Sequence, residues 1–433
     1  MNIYYEDDIL YIWMDMYKNK GASRDWVLAL QVLLVLAVLV LLIIYFAACS
    51  RKGGDFVTFL EAATKMWEGK NIYSPPYINL RYSYSPFWAM ILIPFALLPT
   101  AVGAFMWLVI SLILFIRTIW LLRHEFNVRI SDHKLDQVLW LFILLYISRY
   151  LELNFHHVQM TIFLAWLMIE ALYRCEGREI IAGTLIGIGT IVKVMPVVMI
   201  PYFIYRRRFV AASSAIATVV VCFFIPLVFI GRSLFWEMNQ SWYGILRPDS
   251  PEFQSEVSWH LPQNLSLLLY RLLVNTGAPY AHPVLNLTYS QATVIIWIVI
   301  AFLILLTLYF LSTIPFVKVI NRSHQLYELS YIMLLIPLIF PHQMKYAFYF
   351  VLPAISCLMV YLVAQYPMEK QTIRYRIIAA LVLVSFILGT ATTDLVIGMD
   401  LSTITQHYKT ITIGTLLLIP ALAISRGYFT NIE

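Results

Sequence analysis

The residues of this chain that could do chemistry lie in short polar segments between long apolar ones. Asp55 follows two glycines at the end of an apolar segment, and Lys193 lies in TIVKVMPVVMIP, in which Pro196 breaks a helix. Polar groups at membrane depth are costly and usually functional. A cation at a broken helix suits an anionic group such as a phosphate. The alternative for Lys193 is a side chain that extends to the membrane interface.

Asp55 also has two possible roles. It precedes a helical pattern whose apolar residues recur at spacings of three and four: Phe56, Phe59, Leu60, Ala63, Met66 and Trp67. Aspartate directly before a helix is a favoured N-cap, because its carboxylate accepts hydrogen bonds from the first free amides. The other role is that of a carboxylate that takes part in a reaction, and one oxygen could not easily serve both. Spacing alone favours capping.

Aromatic and cationic residues offer further candidates for binding. Arg81, Tyr82 and Tyr84 in LRYSYSP supply a cation and two phenols, although an interfacial aromatic belt with an extended arginine is an equally good interpretation. Tryptophans in the second long polar segment could stack on sugar rings or anchor that segment in the membrane interface: Trp236, Trp242 and Trp259.

The remaining candidates are acids and histidines. Four acids of the second polar segment are typical of solvated charges, but one of them is the alternative base: Glu237, Asp249, Glu252 and Glu256. His342 and Lys345 in FPHQMKY begin an apolar segment, where a lone histidine is more often a packing residue. His156 and His157 have no third ligand at metal spacing.

Composition indicates the class of protein that must position these residues. The chain has 433 residues, of which 61% are hydrophobic and 12% charged, and its mean hydropathy is +0.77. Because a soluble domain carries roughly 25% charged residues, this is an integral membrane protein, and recurring apolar runs of about 20 residues predict helices. The net charge of +6 does not indicate nucleic-acid binding, since the basic residues cluster in short loops.

The sequence predicts an all-α polytopic membrane protein with one domain, residues 1–433, and about twelve transmembrane helices. Two polar segments, 49–100 and 232–288, form its long loops, and residues 86–98 are too short to cross. We expect the spans at 26–48, 101–122, 136–151, 157–173, 179–193, 195–205, 209–231, 289–312, 326–340, 346–365, 376–397 and 409–425.

The basic loops predict the orientation of these spans. With the spans as given, the basic loops between 123 and 134, 174 and 178, 206 and 208, 318 and 322, and 370 and 376 all lie on the cytoplasmic side, as do both termini. The Asp55 segment, the break at Lys193, residues 232–288 and His342 lie on the opposite side. Only Arg51 and Lys52 depart from the pattern.

Several short motifs together resemble glycosyltransferase family 87. They are Gly-x-Asp-Phe at 53–56, Gly-Lys-Asn-Ile-Tyr at 69–73, Tyr-Ser-Tyr-Ser-Pro-Phe at 82–87, Leu-Leu-Pro at 97–99, His-Val-Gln at 157–159, Lys-Val-Met-Pro at 193–196, Gln-Asn-Leu-Ser-Leu at 263–267 and Pro-His at 341–342. The resemblance covers most of residues 50 to 355. The family usually has Gly-Gln where this chain has Val158-Gln159, and two adjacent histidines where it has His342-Gln343.

The resemblance implies a GT-C architecture and a polyprenyl-phosphate-mannose-dependent mannosyltransferase. Asp55 would match the catalytic aspartate, His342 an active-site histidine, and Lys193 a contact of the carrier phosphate. We expect further phosphate contacts from Arg81 and Lys345, and contacts with sugar or acceptor from Tyr82, Tyr84, Trp259, His260 and Asn264.

The implied partners are a polyprenyl-phosphate-linked sugar donor, a glycan or glycolipid acceptor and membrane lipid, with no cofactor, no metal and no nucleic acid. The implied location is a bacterial inner or plasma membrane, with the active site extracytoplasmic.

Two other functions fit the residues. A transporter or flippase of lipid-linked sugars would use Asp55 and Lys193 as gates, but such proteins usually show paired broken helices, and only one convincing break is present. A ligase or polymerase of lipid-linked glycans would place its base in the 232–288 segment, whereas here the motif-bearing loop comes early in the chain.

Overall fold

A computed structural model describes residues 6–78, 82–246, 256–280, 282–311 and 313–430, with side chains from residue 28 onward. This part of the chain is helical and contains no strand. The helices are α1 (Glu6–Lys52), α2 (Phe56–Trp67), α3 (Pro86–Ile91), α4 (Ile93–Ala96), α5 (Thr100–Trp120), α6 (His133–His156), α7 (Thr161–Arg174), α8 (Glu179–Val192), α9 (Met199–Tyr205), α10 (Phe209–Ile230), α11 (Arg232–Leu246), α12 (Leu265–Leu273), α13 (Tyr289–Phe310), α14 (Arg322–Ile339), α15 (Leu352–Glu369), α16 (Ile373–Phe386), α17 (Asp394–Ile397), α18 (Met399–His407) and α19 (Thr410–Thr430).

Eight helical segments in the described part of the chain are long and apolar enough to cross a membrane. They are Leu28–Lys52, Thr100–Glu125, His133–His156, Phe209–Ile230, Tyr289–Phe310, Lys345–Glu369, Ile373–Ala391 and Thr410–Thr430.

The predicted number of about twelve crossings is not confirmed. Helices α7 and α8 have only 14 residues each, roughly 21 Å at 1.5 Å per residue, which is short of a hydrocarbon core of about 30 Å. The segment predicted at 195–205 divides into a 3₁₀ turn and the seven-residue α9. Helix α14 carries His324, Gln325 and Glu328 and is buried inside the bundle.

The predicted amphipathic helix after Asp55 is confirmed as α2. Its buried face consists of the residues that the spacing indicated, among them Phe56, Phe59 and Met66, whereas Trp67 is exposed. Helices α3 and α4 have six and four residues, so the 86–98 segment does not cross, as expected. The described parts of the two polar segments thus contain α2, α3 and α4 in the first and α11 and α12 in the second.

The basic loops meet at the other end of the bundle. Arg208 contacts both Glu176 and Glu179, and Lys318 lies 3.3 Å from Glu179, so the loops before α8, α10 and α14 are joined by ion pairs. The three consecutive arginines at 206–208 differ in their contacts. Arg206 lies inside the bundle, where its Nε is 2.9 Å from Oε2 of Glu328, and only Arg207 is exposed.

Close packing of α8 against α10 positions the break that follows α8. Gly183 and Gly187, four residues apart, face the backbone of α10. A Cβ added at Gly183 would lie 2.1 Å from the carbonyl oxygen of Ala211, and one at Gly187 would lie 2.7 Å from that of Ala215. Small residues at this spacing let two helices approach closely in a membrane. The same contact holds the C-terminal end of α8, and hence Lys193, in place.

We expect Gly183→Ala to destabilise the protein by about 1–3 kcal/mol, because the added methyl group would overlap backbone atoms of α10 that cannot move freely. The measurement is the midpoint of thermal unfolding of the detergent-purified protein. The matched control is Gly244→Ala in α11, where an added Cβ meets no atom within 4 Å. Equal midpoints for the two variants would contradict this account of the packing.

Candidate functional site

A tight turn between α1 and α2 places Asp55 against the end of α6. Gly53 and Gly54 both have positive φ, a conformation that glycine adopts without steric cost. A side chain at Gly54 would also be impossible, because its Cβ would lie 2.6 Å from the carbonyl oxygen of His157. The backbone N–H of Asp55 donates to that same oxygen at 3.1 Å. The two glycines are thus required for the turn to approach His157.

The carboxylate of Asp55 does not cap α2, although spacing alone favoured that role. The residue has helical backbone angles and makes no side-chain capping hydrogen bond. Instead, Oδ2 of Asp55 accepts a hydrogen bond from the Gln159 amide. The Gln159 backbone oxygen accepts in turn from Nε1 of Trp107 at 3.1 Å. In the described part of the chain, Oδ1 of Asp55 accepts no hydrogen bond, which leaves one carboxylate oxygen available for a reacting group.

Burial raises the pKa of the Asp55 carboxyl above its ordinary value, while the hydrogen bond from Gln159 and the positive charge of Lys193 oppose the rise. Asp55 is only half-buried, so solvent or a substrate can reach it. A carboxyl with a raised pKa is a better proton acceptor than an ordinary one, provided that it is still ionised at the working pH.

Lys193 lies directly after α8, outside the spanning segments, with extended backbone angles. Its ammonium group is 5.0 Å from the centre of the Tyr84 ring. Among the described residues no oxygen lies within hydrogen-bond distance of Nζ. Burial lowers the pKa of Lys193 to about 8, and the negative charges of Asp55 and Glu256 limit the fall. An ammonium supported by an aromatic face and unpaired with any anion is suited to binding one.

The two predicted tyrosines form the wall beneath this cation. Tyr82 is buried and donates to the backbone oxygen of Ser85 at 3.0 Å. The rings of Tyr82 and Tyr84 both pack edge-on against Phe59 of α2. The face of the Tyr84 ring therefore contacts Lys193, while the Tyr82 ring packs against Tyr84. Arg81, predicted as a phosphate contact, lies outside the described residues.

Glu256 and His342 form the neighbouring part of the site. Nδ1 of His342 is 2.8 Å from Oε1 of Glu256, and Glu256 is close enough to Lys193 to influence its pKa. His342 has positive φ, and the backbone N–H of Gln263 donates to the oxygen of the next residue, Gln343, at 2.6 Å. The segment that follows Glu256 is thus fastened to the loop that carries His342.

Of the other three acids that are candidates for the base, Glu237 alone lies among the described residues. Glu237 accepts a hydrogen bond from Nδ2 of Asn71 at 2.7 Å, and Asp249 and Glu252 lie outside the described residues. Glu256 is the acid of the second polar segment that the structure brings toward Lys193.

The remaining predicted residues lie farther from Asp55 in the network of contacts. Lys345 donates to Oε1 of Gln406 at 3.0 Å, so its ammonium already has a partner. Asn264 is buried and caps α12 through its side-chain oxygen, which accepts from the backbone N–H of Leu267 at 2.8 Å. This contact gives Asn264 a structural role, and we do not include it in the site.

Trp259 and His260 border the same end of the molecule. Nζ of the fully buried Lys409 donates to the backbone oxygens of Trp259 and Pro262 at 2.9 Å and 2.6 Å. The indole of Trp259 is half-exposed, and the His260 ring lies 5.1 Å from that of His407. Lys409 thereby fixes the backbone of this loop and leaves the two rings at its surface, where contacts with an acceptor remain a prediction.

Gln159 and the pairing of Glu256 with His342 could not be identified from the sequence. Gln159 follows the helix that ends at His156, and in the sequence it stands out only as part of the short motif at 157–159. Glu256 was one of four comparable acids. A polar residue in a turn at the same predicted side as Asp55 was the available signal for both, but it applies equally to many other residues of these loops.

We expect Asp55→Asn to raise the midpoint of thermal unfolding at neutral pH. Because the folded-state pKa of Asp55 lies above its ordinary value, ionisation of this residue costs stability at higher pH, and asparagine avoids that cost. The difference from the native protein should disappear as the pH falls through the folded-state pKa toward the ordinary value of about 3.9. Asp400→Asn, at an exposed position, is the control. A destabilised Asp55→Asn variant at neutral pH would show instead that the charge is structural.

One comparison with known proteins identifies the family of this chain. No curated protein and no solved structure matches the chain. A family model, described as Glycosyltransferase family 87, matches residues 82–320, which is more than half of the 433 residues and includes Tyr84, Gln159, Lys193 and Glu256. The match confirms the resemblance drawn from the short motifs. This integral membrane protein therefore belongs to glycosyltransferase family 87.

Proposed function

We propose that the enzyme transfers a hexose, mannose by analogy with its family, from a polyprenyl-phosphate donor to a hydroxyl group of an extracytoplasmic glycan or glycolipid. The observation that supports this most directly is that Asp55 and Lys193 lie near each other without forming an ion pair. A carboxylate with one free oxygen lies in the field of an ammonium that has no anionic partner among the described residues. Sugar transfer from a lipid phosphate needs these two groups, a base for the acceptor and a cation for the phosphate.

Asp55 acts in this proposal as the general base. Its free oxygen takes the proton of the acceptor hydroxyl while the acceptor oxygen attacks the anomeric carbon. The bond between that carbon and the phosphate oxygen breaks at the same time, and the electron pair leaves with the phosphate. Because attack and departure occur on opposite faces, the anomeric configuration inverts. Gln159 contributes by holding the other carboxylate oxygen, so that the base keeps one orientation.

Lys193 acts on the leaving group. Negative charge grows on the phosphate as the glycosidic bond breaks, and a fixed cation at that point stabilises the transition state. A lipid phosphate is an adequate leaving group, so no strong general acid is required. The half-buried position of Lys193 strengthens its interaction with the phosphate, since water screens it less.

His342 is positioned by Glu256 and borders the same space. The contact through Nδ1 fixes the orientation of the imidazole ring. We assign His342 to hydrogen bonding with a hydroxyl of the donor sugar or acceptor, and Glu256 to holding His342. Glu256 is also the alternative base, because its Oε2 is buried with no hydrogen-bond partner among the described residues.

A donor embedded in the membrane fits the architecture. The long helices expose apolar side chains around the bundle, and the polar segments fold at one end of it. A polyprenyl chain would lie along such a surface while its phosphate reaches Lys193. The positive-inside pattern of the basic loops supports an extracytoplasmic position for the end that carries Asp55.

We expect Asp55→Asn to lower transfer of labelled mannose from polyprenyl-phosphate-mannose by about 10²–10⁴-fold, since it removes the base. The assay uses the purified protein with a chelator present, and we expect native transfer to survive chelation. Glu256→Gln should lower the rate by a smaller factor of about 10, because it loosens the orientation of His342 and removes a negative charge near Lys193 but leaves Asp55 in place.

Three outcomes of this assay lead to different conclusions. An active Asp55→Asn variant together with an inactive Glu256→Gln variant would assign the base to Glu256. Donor binding is measured for each variant. A variant that has lost only the base still binds the donor, whereas one that has lost the site does not. No transfer by the native protein from a panel of lipid-phosphate sugars would contradict the proposed donor class.

We further expect kcat/KM to depend on pH in a bell shape. Activity should rise above the ordinary carboxyl range as Asp55 ionises, and fall as the pH passes about 8, where free Lys193 loses its proton. In Lys193→Arg the falling limb should move to higher pH, because guanidinium stays protonated. The companion measurement is donor binding by Lys193→Gln, which we expect to be weak. A falling limb that is the same in native protein and Lys193→Arg would contradict a role for the Lys193 charge.

A further inference from the structure

A cavity lies at the end of the bundle away from Asp55. Its volume is about 1090 Å³, and the starts of α8 and α10 line it together with residues 316–318. Lys193 follows the last residue of α8 and Arg178 precedes the first, so the length of this 14-residue helix, roughly 21 Å, separates the cavity from the candidate active site. The cavity is therefore a different site.

Two of the cations in this cavity have no anionic partner. Glu179 is the acid in its lining, and it is already compensated by Arg208 and Lys318, each 3.3 Å away. Arg178 and Arg207 are exposed, and no carboxylate forms an ion pair with either of them in the described part of the chain. The positive charge of the cavity is thus available to a ligand.

The rest of the lining is apolar and uncovered. Ile180 and Ile181 in the first turn of α8 are exposed, as are Phe209 and Val210 in the first turn of α10. Phe316 closes one side, with its ring 6.1 Å from that of Phe209. In a membrane these first turns lie where apolar helices meet the head groups. A ligand that fills the cavity must satisfy both arginines and this apolar surface.

We propose that the cavity binds one anionic glycerophospholipid. The phosphate would lie between Arg178 and Arg207, since guanidinium groups pair well with phosphate oxygens. An acyl chain would cover Ile181 and Val210 on the membrane side. Basic pockets between transmembrane helices recognise anionic head groups in this way. A zwitterionic lipid fits less well, because its amine needs a carboxylate, and Glu179 is occupied by Arg208 and Lys318.

The bound lipid would also brace the helix pair that carries Lys193. Helices α8 and α10 both begin in the cavity and pack closely at Gly183 and Gly187. A phosphate held by residues just before each helix joins the two starts without a protein–protein contact. Loss of the lipid should therefore lower the thermal stability of the protein.

The test is native mass spectrometry of the full-length protein after exchange into phosphatidylglycerol, phosphatidylcholine or inorganic phosphate, with the double variant Arg178→Gln, Arg207→Gln. We expect one phosphatidylglycerol molecule to be retained by the native protein, and retention to fall at least 10-fold in the double variant. Thermal stabilisation by added phosphatidylglycerol should fall in parallel.

The matched control is Arg129→Gln with Lys134→Gln, which removes one exposed charge between α5 and α6 and another in the first turn of α6. It should retain phosphatidylglycerol as the native protein does. A second variant, Phe209→Ser, keeps both arginines and tests the apolar surface; it should also lose retention. We first show that Phe209→Ser and the double arginine variant are each monodisperse and helical.

Several results would overturn the proposal. Equal retention in the Arg178, Arg207 variant and the control would show that the lipid binds elsewhere. Equal retention of phosphatidylcholine would remove the requirement for an anionic head group. Stabilisation by inorganic phosphate equal to that by phosphatidylglycerol would identify a free-phosphate site instead of a lipid site.

Discussion

The hydrogen bond from Gln159 to Asp55 is the contact on which the geometry of the candidate site depends. An aspartate directly before a helix would ordinarily cap it, with a side-chain oxygen that accepts from the first free amides. The Gln159 amide instead holds one oxygen and leaves the other free. This arrangement requires the turn at Gly53 and Gly54 to approach the carbonyl of His157 closely. The end of one helix therefore orients the reactive group at the start of another.

Charge is distributed so that the site retains an unpaired cation beside an acid. Burial disfavours the charged forms of both Asp55 and Lys193, and each partly compensates the other. They do not form a direct ion pair, and the ammonium is supported by the Tyr84 ring. A direct pair would be more stable but would occupy both groups. Because the two groups are separated, neither is occupied by the other.

The two ends of the bundle use arginine and lysine differently. At the end with the basic loops, Arg206 contacts Glu328 of α14, and Arg208 contacts Glu176 and Glu179 beside the start of α8. Arg207 and Arg178 remain exposed beside apolar first turns. At the other end Lys409 is buried against backbone oxygens, whereas Lys193, near Asp55, has no anionic partner among the described residues. Basic residues that are adjacent in the sequence thus differ in whether they have a carboxylate partner, and only the tertiary structure shows this difference.

The sequence by itself determined the class of protein, the amphipathic helix α2 and the location of Asp55 and Lys193 at helix ends. These features follow from local composition and periodicity, because the cost of burying polar groups acts on every short segment. The predicted number of about twelve crossings is not confirmed, since eight helical segments of the described chain are long and apolar enough to cross, and α7 and α8 have only 14 residues each. Only the tertiary structure decided what each polar side chain contacts. Gln159 lies 104 residues from Asp55, and Glu256 lies 86 residues from His342. Such pairs arise from the packing of whole helices, and no local pattern records which two loops will meet.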